Sequence, residues 1–211
     1  MLDKKRAIQA EDKLLRRGEI LNAAAALFLE NNQQLPSVQA IASRAGLAKG
    51  TVYLYFRTKE EIFQALLESQ FTGLFSTFNT ALAAGTGVDK FSQLLVDYLR
   101  SVPSFLPLTA MAKSVIEQNL ALGCGEAFKY ELAQQLNTTA QQLEQAMPAF
   151  KGQAHSLLLR TYALMVGLWQ MLDWPQNLKH LQQAPEFHAF SRDYYAELQD
   201  AVTALWLSSL R

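Results

Sequence analysis

Apolar residues recur at intervals of three and four along almost the whole chain, and no window alternates apolar with polar residues in the manner of a strand. That periodicity restricts the fold to packed helices. With 211 residues, half of them hydrophobic, there is enough apolar side chain for one large helical domain or two modest ones. The reading is therefore all-α, with about nine helices.

The first helical stripe places Ile20, Ala24, Leu27 and Phe28 on one side of residues 16–30. An Asn-Asn-Gln-Gln run and Pro36 end it. Ser37 is a good N-cap for a short helix whose inner side is Val38, Ile41, Ala42 and Ala45. Gly46 can take the left-handed conformation that ends a helix cheaply. A second short helix is predicted from Lys49 to Phe56, with Val52 and Phe56 facing inward. Thr58 and Glu61 form a capping box at the start of a longer helix reaching about Ala83. Further helices are predicted over 88–101, 104–121, 125–147, 151–173 and 187–209, punctuated by glycines and prolines. The domain boundary carries no linker. It is predicted at 60/61, with residues 1–60 a head and 61–211 a helical body.

Charge divides along the same line. Residues 1–59 hold ten Lys and Arg against five Asp and Glu, and the remainder holds nine against fourteen. A basic head on an acidic body suits a polyanionic partner. Helix, glycine corner, helix is also the plan that lays a second helix in the major groove of DNA. Near that helix's start Gly50 and Thr51 are small enough for close backbone approach. Tyr53 and Tyr55 carry hydroxyls that can donate to phosphate, and Lys59 can pair with another.

Several classes are disfavoured. One cysteine, Cys124, permits no disulfide framework within the chain, so a reducing, cytoplasmic setting is expected. Three scattered histidines with that one cysteine make no zinc pattern, and no phosphate loop is present. No cofactor and no catalysis are expected. The N-terminus has no secretory h-region, and no apolar run is long enough to span a membrane.

The stretch VQAIASRAGLAKGTVYLYFRTKEEIF resembles the DNA-binding head of the TetR/AcrR family of bacterial transcriptional regulators. Ile41, Ala42, Ala45, Gly46, Gly50, Thr51, Tyr53, Tyr55, Phe56, Lys59, Glu60 and Glu61 match the family pattern, and the resemblance covers residues 14–66. Ala48 stands where Ser or Thr is usual, which weakens the cap of the second short helix. The resemblance implies a dimeric, repressor-like protein that binds palindromic operator DNA and is released by a small, hydrophobic effector. It implies base-reading roles for Gln39, Lys49, Gly50, Thr51 and Tyr53, and phosphate contacts from Ser37, Tyr53, Tyr55 and Lys59. Leu54 departs from the polar or aromatic residue often found there, and Arg44 and Arg57 are added on charge alone. A helical carrier of hydrophobic molecules and a transcriptional activator are the alternatives.

The body must then hold an effector and a pairing surface. Its central helices are rich in bulky side chains. Phe75, Phe105, Met111, Val115, Phe128, Met165 and Trp169 are candidate pocket walls, with Asn119 and Tyr162 as polar contacts and Gln118 or His155 as further ones. The apolar stripes of the last two long helices suit a four-helix pairing surface. Leu158, Tyr194, Leu198, Val202 and Leu205 are its candidates.

Overall fold

The computed structural model describes residues 2–116, 118 and 124–210, with side chains from residue 11 onward other than Asp89 and Cys124. Among these residues there are nine α-helices and no strand. They are α1 Leu2–Glu30, α2 Val38–Arg44, α3 Lys49–Tyr53, α4 Lys59–Ala83, α5 Phe91–Ser101, α6 Phe105–Met111, α7 Cys124–Ala146, α8 Ala154–Leu172 and α9 Tyr194–Ser208.

The chain divides into two compact units. One takes Met1–Ser69 with Met111–Phe128, and the other takes Gln70–Ala110 with Lys129–Arg211. The helix α4 contributes residues to both.

In the first unit Ile20, Ala24 and Phe28 of α1, Ile41 and Ala42 of α2, Val52 of α3, and Ile62 and Phe63 of α4 are fully buried. The rings of Phe28 and Phe63 lie 5.7 Å apart. Truncating either ring to Ala would cost about 3–5 kcal/mol by cavity formation. The Arg17 guanidinium lies over the ring of Phe56, three residues beyond the end of α3, at 5.4 Å.

The second unit is built around Trp206 of α9. Its indole stacks on Phe91 at 5.1 Å and meets Phe150 edge-on at 5.8 Å. Tyr194 donates to the Met165 carbonyl at 2.9 Å, tying the start of α9 to α8. Gly73 of α4 is where the Tyr98 hydroxyl comes closest: a β-carbon there would stand 2.8 Å from it. Tyr98 in turn donates to the Gln70 carbonyl.

Several predicted boundaries move. The helix expected over 104–121 ends as α6 at Met111 and passes into a π-helical turn over Ala112–Ile116, a one-residue widening of the ladder. The helix expected over 187–209 begins only at Tyr194. Asp193 caps it, its carboxylate accepting from the Ala196 amide at 2.8 Å. The preceding residues instead form two 3₁₀ segments, Gln176–Gln183 and Pro185–Phe190. The first helix extends back to Leu2, and α3 stops at Tyr53 rather than Phe56.

Four of the five residues expected to pair subunits are consumed by the chain's own core. Leu158 and Tyr194 are nearly covered, and Leu198 and Val202 are fully so. Leu205 is half-buried. A side chain already shut inside one chain has no area left to bury against a second, so the pairing assignment of these four is corrected.

Candidate functional site

The corner between α2 and α3 is set by hydrogen bonds that can be followed one by one. Ser37 Oγ accepts from the Ala40 amide at 3.2 Å and starts α2. At the other end Gly46 has φ +67°. The Leu47 amide donates to the Ala42 carbonyl at 2.9 Å and the Gly46 amide to the Ser43 carbonyl at 3.2 Å, the paired closure of a Schellman motif. The corner thus satisfies the last carbonyls of α2 and turns the chain into α3.

No side chain caps α3, because Ala48 carries no acceptor. Val52 anchors the helix from below. Its outer side presents Lys49, Gly50 and Tyr53 to solvent, with Thr51 and Tyr55 half-buried. The Lys49 ammonium sits 5.8 Å from the centre of the Tyr53 ring, one helical turn away. Ser37 and Gln39 are exposed at the start of α2, and Lys59 is half-buried in the first turn of α4. Leu54 is 80% exposed and offers no polar group.

Two details depart from the sequence reading. Thr58 Oγ1 accepts from the Glu61 amide at 3.2 Å as a cap should, but the Glu61 carboxylate accepts from the Arg57 amide at 2.7 Å, one residue earlier than a capping box requires. Arg44 is not a free surface cation. Its guanidinium donates twice to the Glu30 carboxylate, at 3.0 and 2.7 Å, bracing α2 against the end of α1. These hydrogen bonds hold the Glu30 carboxyl below its ordinary range and push the arginine up.

The second unit contains an apolar cavity of about 220 Å³ between α4, α5, α7 and α8. Phe71, Phe75 and Leu95 line it, facing Leu136, Tyr162 and Met165, with Lys129 as its one charged lining residue. The Phe71 ring meets Phe75 at 6.4 Å and Tyr162 at 6.1 Å, so three aromatic rings cluster at this wall.

Of the expected pocket residues, Phe75, Tyr162 and Met165 line this space. Phe105 does not: it is fully buried and packs edge-on against Phe71 at 5.0 Å, one layer behind the wall. Trp169 instead meets Tyr194 edge-on at 5.2 Å. Met111, Val115 and Phe128 belong to the first unit. Asn119 lies outside the described residues. His155 is exposed and pairs with Asn137 Oδ1 at 3.0 Å. Leu158, expected at a subunit interface, is a cavity wall.

A larger groove of about 1130 Å³ runs between α4 and α7 and shares Phe75 with the cavity. Its amides and hydroxyls were not singled out by sequence reasoning. The signal was present: Thr72, Ser76, Asn79 and Thr80 lie three to four apart on α4, and Gln134, Thr138, Gln142 and Gln145 do so on α7.

A short helix seated on a left-handed glycine corner, with its outer side left open, defines a helix-turn-helix protein, here one with an all-helical body. The family model for the tetR family of bacterial regulatory proteins matches residues 20–66, and that for the tetracyclin repressor-like C-terminal domain matches residues 64–207. The chain belongs to the TetR family.

Among curated relatives, the transcriptional repressor KstR2 of Mycobacterium tuberculosis is 40% identical over 63 residues, covering 30% of this chain and 32% of that protein. The chain thus matches about a third of the length of such a relative, confined to one segment. Among solved structures, the fatty acid degradation regulator FadR of Bacillus halodurans superposes with a TM-score of 0.58 at 19% identity, covering 92% of this chain and 99% of the other. The regulator FadR of Bacillus subtilis, solved in complex with stearoyl-CoA, gives a TM-score of 0.55 at 20% identity over 90% and 97% of the two chains. Among the described residues, no helix is long and apolar enough to cross a membrane.

Proposed function

We propose that the chain is a ligand-responsive transcriptional repressor that binds palindromic operator DNA as a dimer. The observation that carries this reading is the outer side of α3, where Lys49, Gly50 and Tyr53 are exposed while Val52 is fully buried. A helix anchored from below and polar above can enter the major groove without unfolding anything. Lys49 and Gln39 are the base-reading candidates, and Ser37, Tyr53, Tyr55 and Lys59 contact phosphates, with Thr51 and Gly50 permitting close approach. In this reading residues 1–60 act as the head and 61–211 as the effector-binding and pairing body, in the cytoplasm.

The dimer forms through the outward sides of α8 and α9. Ala163, Ala196, Ala204 and Leu207 are exposed there. Gly167, in the middle of α8, supports this. A β-carbon on it would meet nothing within 4 Å in its own chain, yet glycine inside a helix costs about 1 kcal/mol relative to alanine. A second helix lying close over Gly167 accounts for a residue that the protomer does not need.

The effector occupies the apolar cavity. The helix α4 is continuous from Lys59 to Ala83, so a displacement at Phe71 and Phe75 is carried to its first turn, which holds Lys59. A coupling of about 1–3 kcal/mol would change operator affinity roughly 5- to 150-fold.

Selection of bound fragments from random duplex DNA at fixed salt tests the reading. Inverted repeats should be enriched, and Tyr53→Ala or Lys59→Ala should lower the yield of bound fragments while leaving the fold and the dimer intact. A folded protein that retains no duplex even at low ionic strength would overturn it.

A further inference from the structure

We infer that Leu54 is a sequence-reading residue: it seats on the C5-methyl group of one thymine in each half-site and thereby selects that base. This rests on α3 being the helix that enters the major groove.

The direction in which Leu54 stands on its helix is the key observation. An α-helix turns about 100° per residue. Fully buried Val52 marks the inward side of α3. Gly50 and Leu54 stand two residues to either side of it, so each lies within about 20° of the line directly opposite. The backbone at Leu54 is still in the right-handed helical region, with φ −71° and ψ −19°, so this register holds to the end of the helix. Gly50 and Leu54 therefore form one stripe, a single turn apart, along the outermost edge of α3. A β-carbon at Gly50 would meet nothing within 4 Å, so the backbone is bare there and Leu54 is the side chain that projects from that edge. It is 80% exposed, against 45% for Tyr53, which stands to the side of the stripe.

An exposed leucine on a protein surface is ordinary. One at the centre of a side otherwise made of Lys49, Gly50, Thr51 and Tyr53 has a narrow choice of partner on DNA. Leucine neither donates nor accepts a hydrogen bond, so it gains nothing from a phosphate. The major groove displays donors, acceptors and one apolar group, the thymine methyl. Set against guanine O6 or the cytosine amino group, the leucine side chain would strip water from a polar edge without replacing the lost hydrogen bond. Set against the methyl, it buries apolar surface on both partners. Leu54 thus favours thymine and rejects the polar alternatives through the same contact. The hydroxyl and ammonium groups around it hold the sugar-phosphate backbone, which carries no direct sequence information.

Replacing thymine by deoxyuridine removes that methyl and leaves the base pair and every donor and acceptor in place. The probe is the tightest duplex recovered by the random-sequence selection, with matched thymines of the two half-sites replaced one pair at a time. Each duplex is titrated with the full chain by fluorescence anisotropy at fixed salt. At one pair of positions the parent should lose about fourfold in affinity per methyl, or roughly fifteenfold for the pair, as expected for one buried carbon in each contact. Leu54→Ala should bind the thymine and deoxyuridine duplexes equally at that position. Its circular dichroism and melting temperature should match the parent's, because the side chain removed is exposed.

Leu54→Gln, which keeps a long side chain, serves where the alanine variant fails to fold, and it should lose the methyl effect as well. A parent indifferent to the methyl at every thymine, or a selected duplex with no matched thymines, overturns the role of Leu54 and leaves α3 as the recognition helix. A methyl effect that survives both substitutions does the same, because another side chain must then make the contact. A folded chain that recovers no duplex at all removes the reading of α3, and the role of Leu54 with it.

Discussion

The Trp206 indole N–H donates to the Thr161 hydroxyl at 2.9 Å, and that hydroxyl donates to the Leu157 carbonyl at 2.9 Å. Both side chains are buried, at 2% and 5% exposure. Thr161 also lines the apolar cavity, so the pair links the core of the second unit to that cavity. Replacing Thr161 by Val keeps the shape and removes the acceptor, leaving an indole N–H without a partner. The expected cost is about 1–3 kcal/mol. Urea denaturation should show it as a lower midpoint at unchanged slope, with Thr161→Ser closer to the parent.

Gly46 carries a different kind of constraint. Its φ of +67° lies in the left-handed region, and a β-carbon there would touch nothing within 4 Å. The penalty for Gly46→Ala is therefore one of backbone conformation alone, about 1–2 kcal/mol. Chemical denaturation checks the figure. A much larger loss would mean that the corner carries packing not visible around this residue.

How much of this was legible beforehand follows from what kind of force fixed each part. The turn at Gly46, the cap by Ser37 and the burial of Val52 and Phe56 are local, decided within a few residues, and all three were readable. The all-α class was readable for the same reason. Leu158 and Tyr162, one turn apart on α8, show the opposite case. An apolar stripe states that a side chain avoids water, but not whether it meets its own core, a cavity or another subunit. That depends on the neighbouring helices, which periodicity does not contain. Leu158 and Leu198 were therefore assigned to the wrong burial, and the amides and hydroxyls of the groove, spread over α4 and α7, added nothing to the apolar stripes. The start of α9 was recoverable: Asp193 three residues before Ala196 is an ordinary N-cap that the stripe through Tyr194 obscured.

Tyr98 gives a pH signature. Burial pushes its hydroxyl up to about 12, from an ordinary value near 10. Between those values the unfolded chain has released the proton while the folded chain retains it. The folded state then binds more protons, so stability must fall as pH rises through this window. Below pH 10 the contribution is fully present. Thermal melts from pH 9 to 12 should show a steeper fall for the parent than for Tyr98→Phe, which has no proton to lose there. Parallel curves would mean that the hydroxyl titrates as it does in water.

Two cations of the first unit are predicted to behave oppositely on DNA. The Arg44 guanidinium is engaged twice by Glu30, so transferring it to a phosphate would first require giving up that pair. Lys59 stands half-buried in the first turn of α4, with its ammonium on a flexible stem. Each lysine–phosphate contact releases about one counterion, which sets the slope of log affinity against log salt. Lys59→Ala should flatten that slope by about one per head, or about two for a dimer, and weaken all sequences alike. Arg44→Ala should leave the slope unchanged and lower the melting temperature slightly through loss of the brace between α1 and α2. Fluorescence anisotropy with one operator duplex across a salt series separates the two. If Arg44→Ala flattened the slope as much as Lys59→Ala, the Glu30 pair would have to break on DNA, and α2 would lie closer to the sugar-phosphate backbone than its exposed Ser37 and Gln39 alone imply.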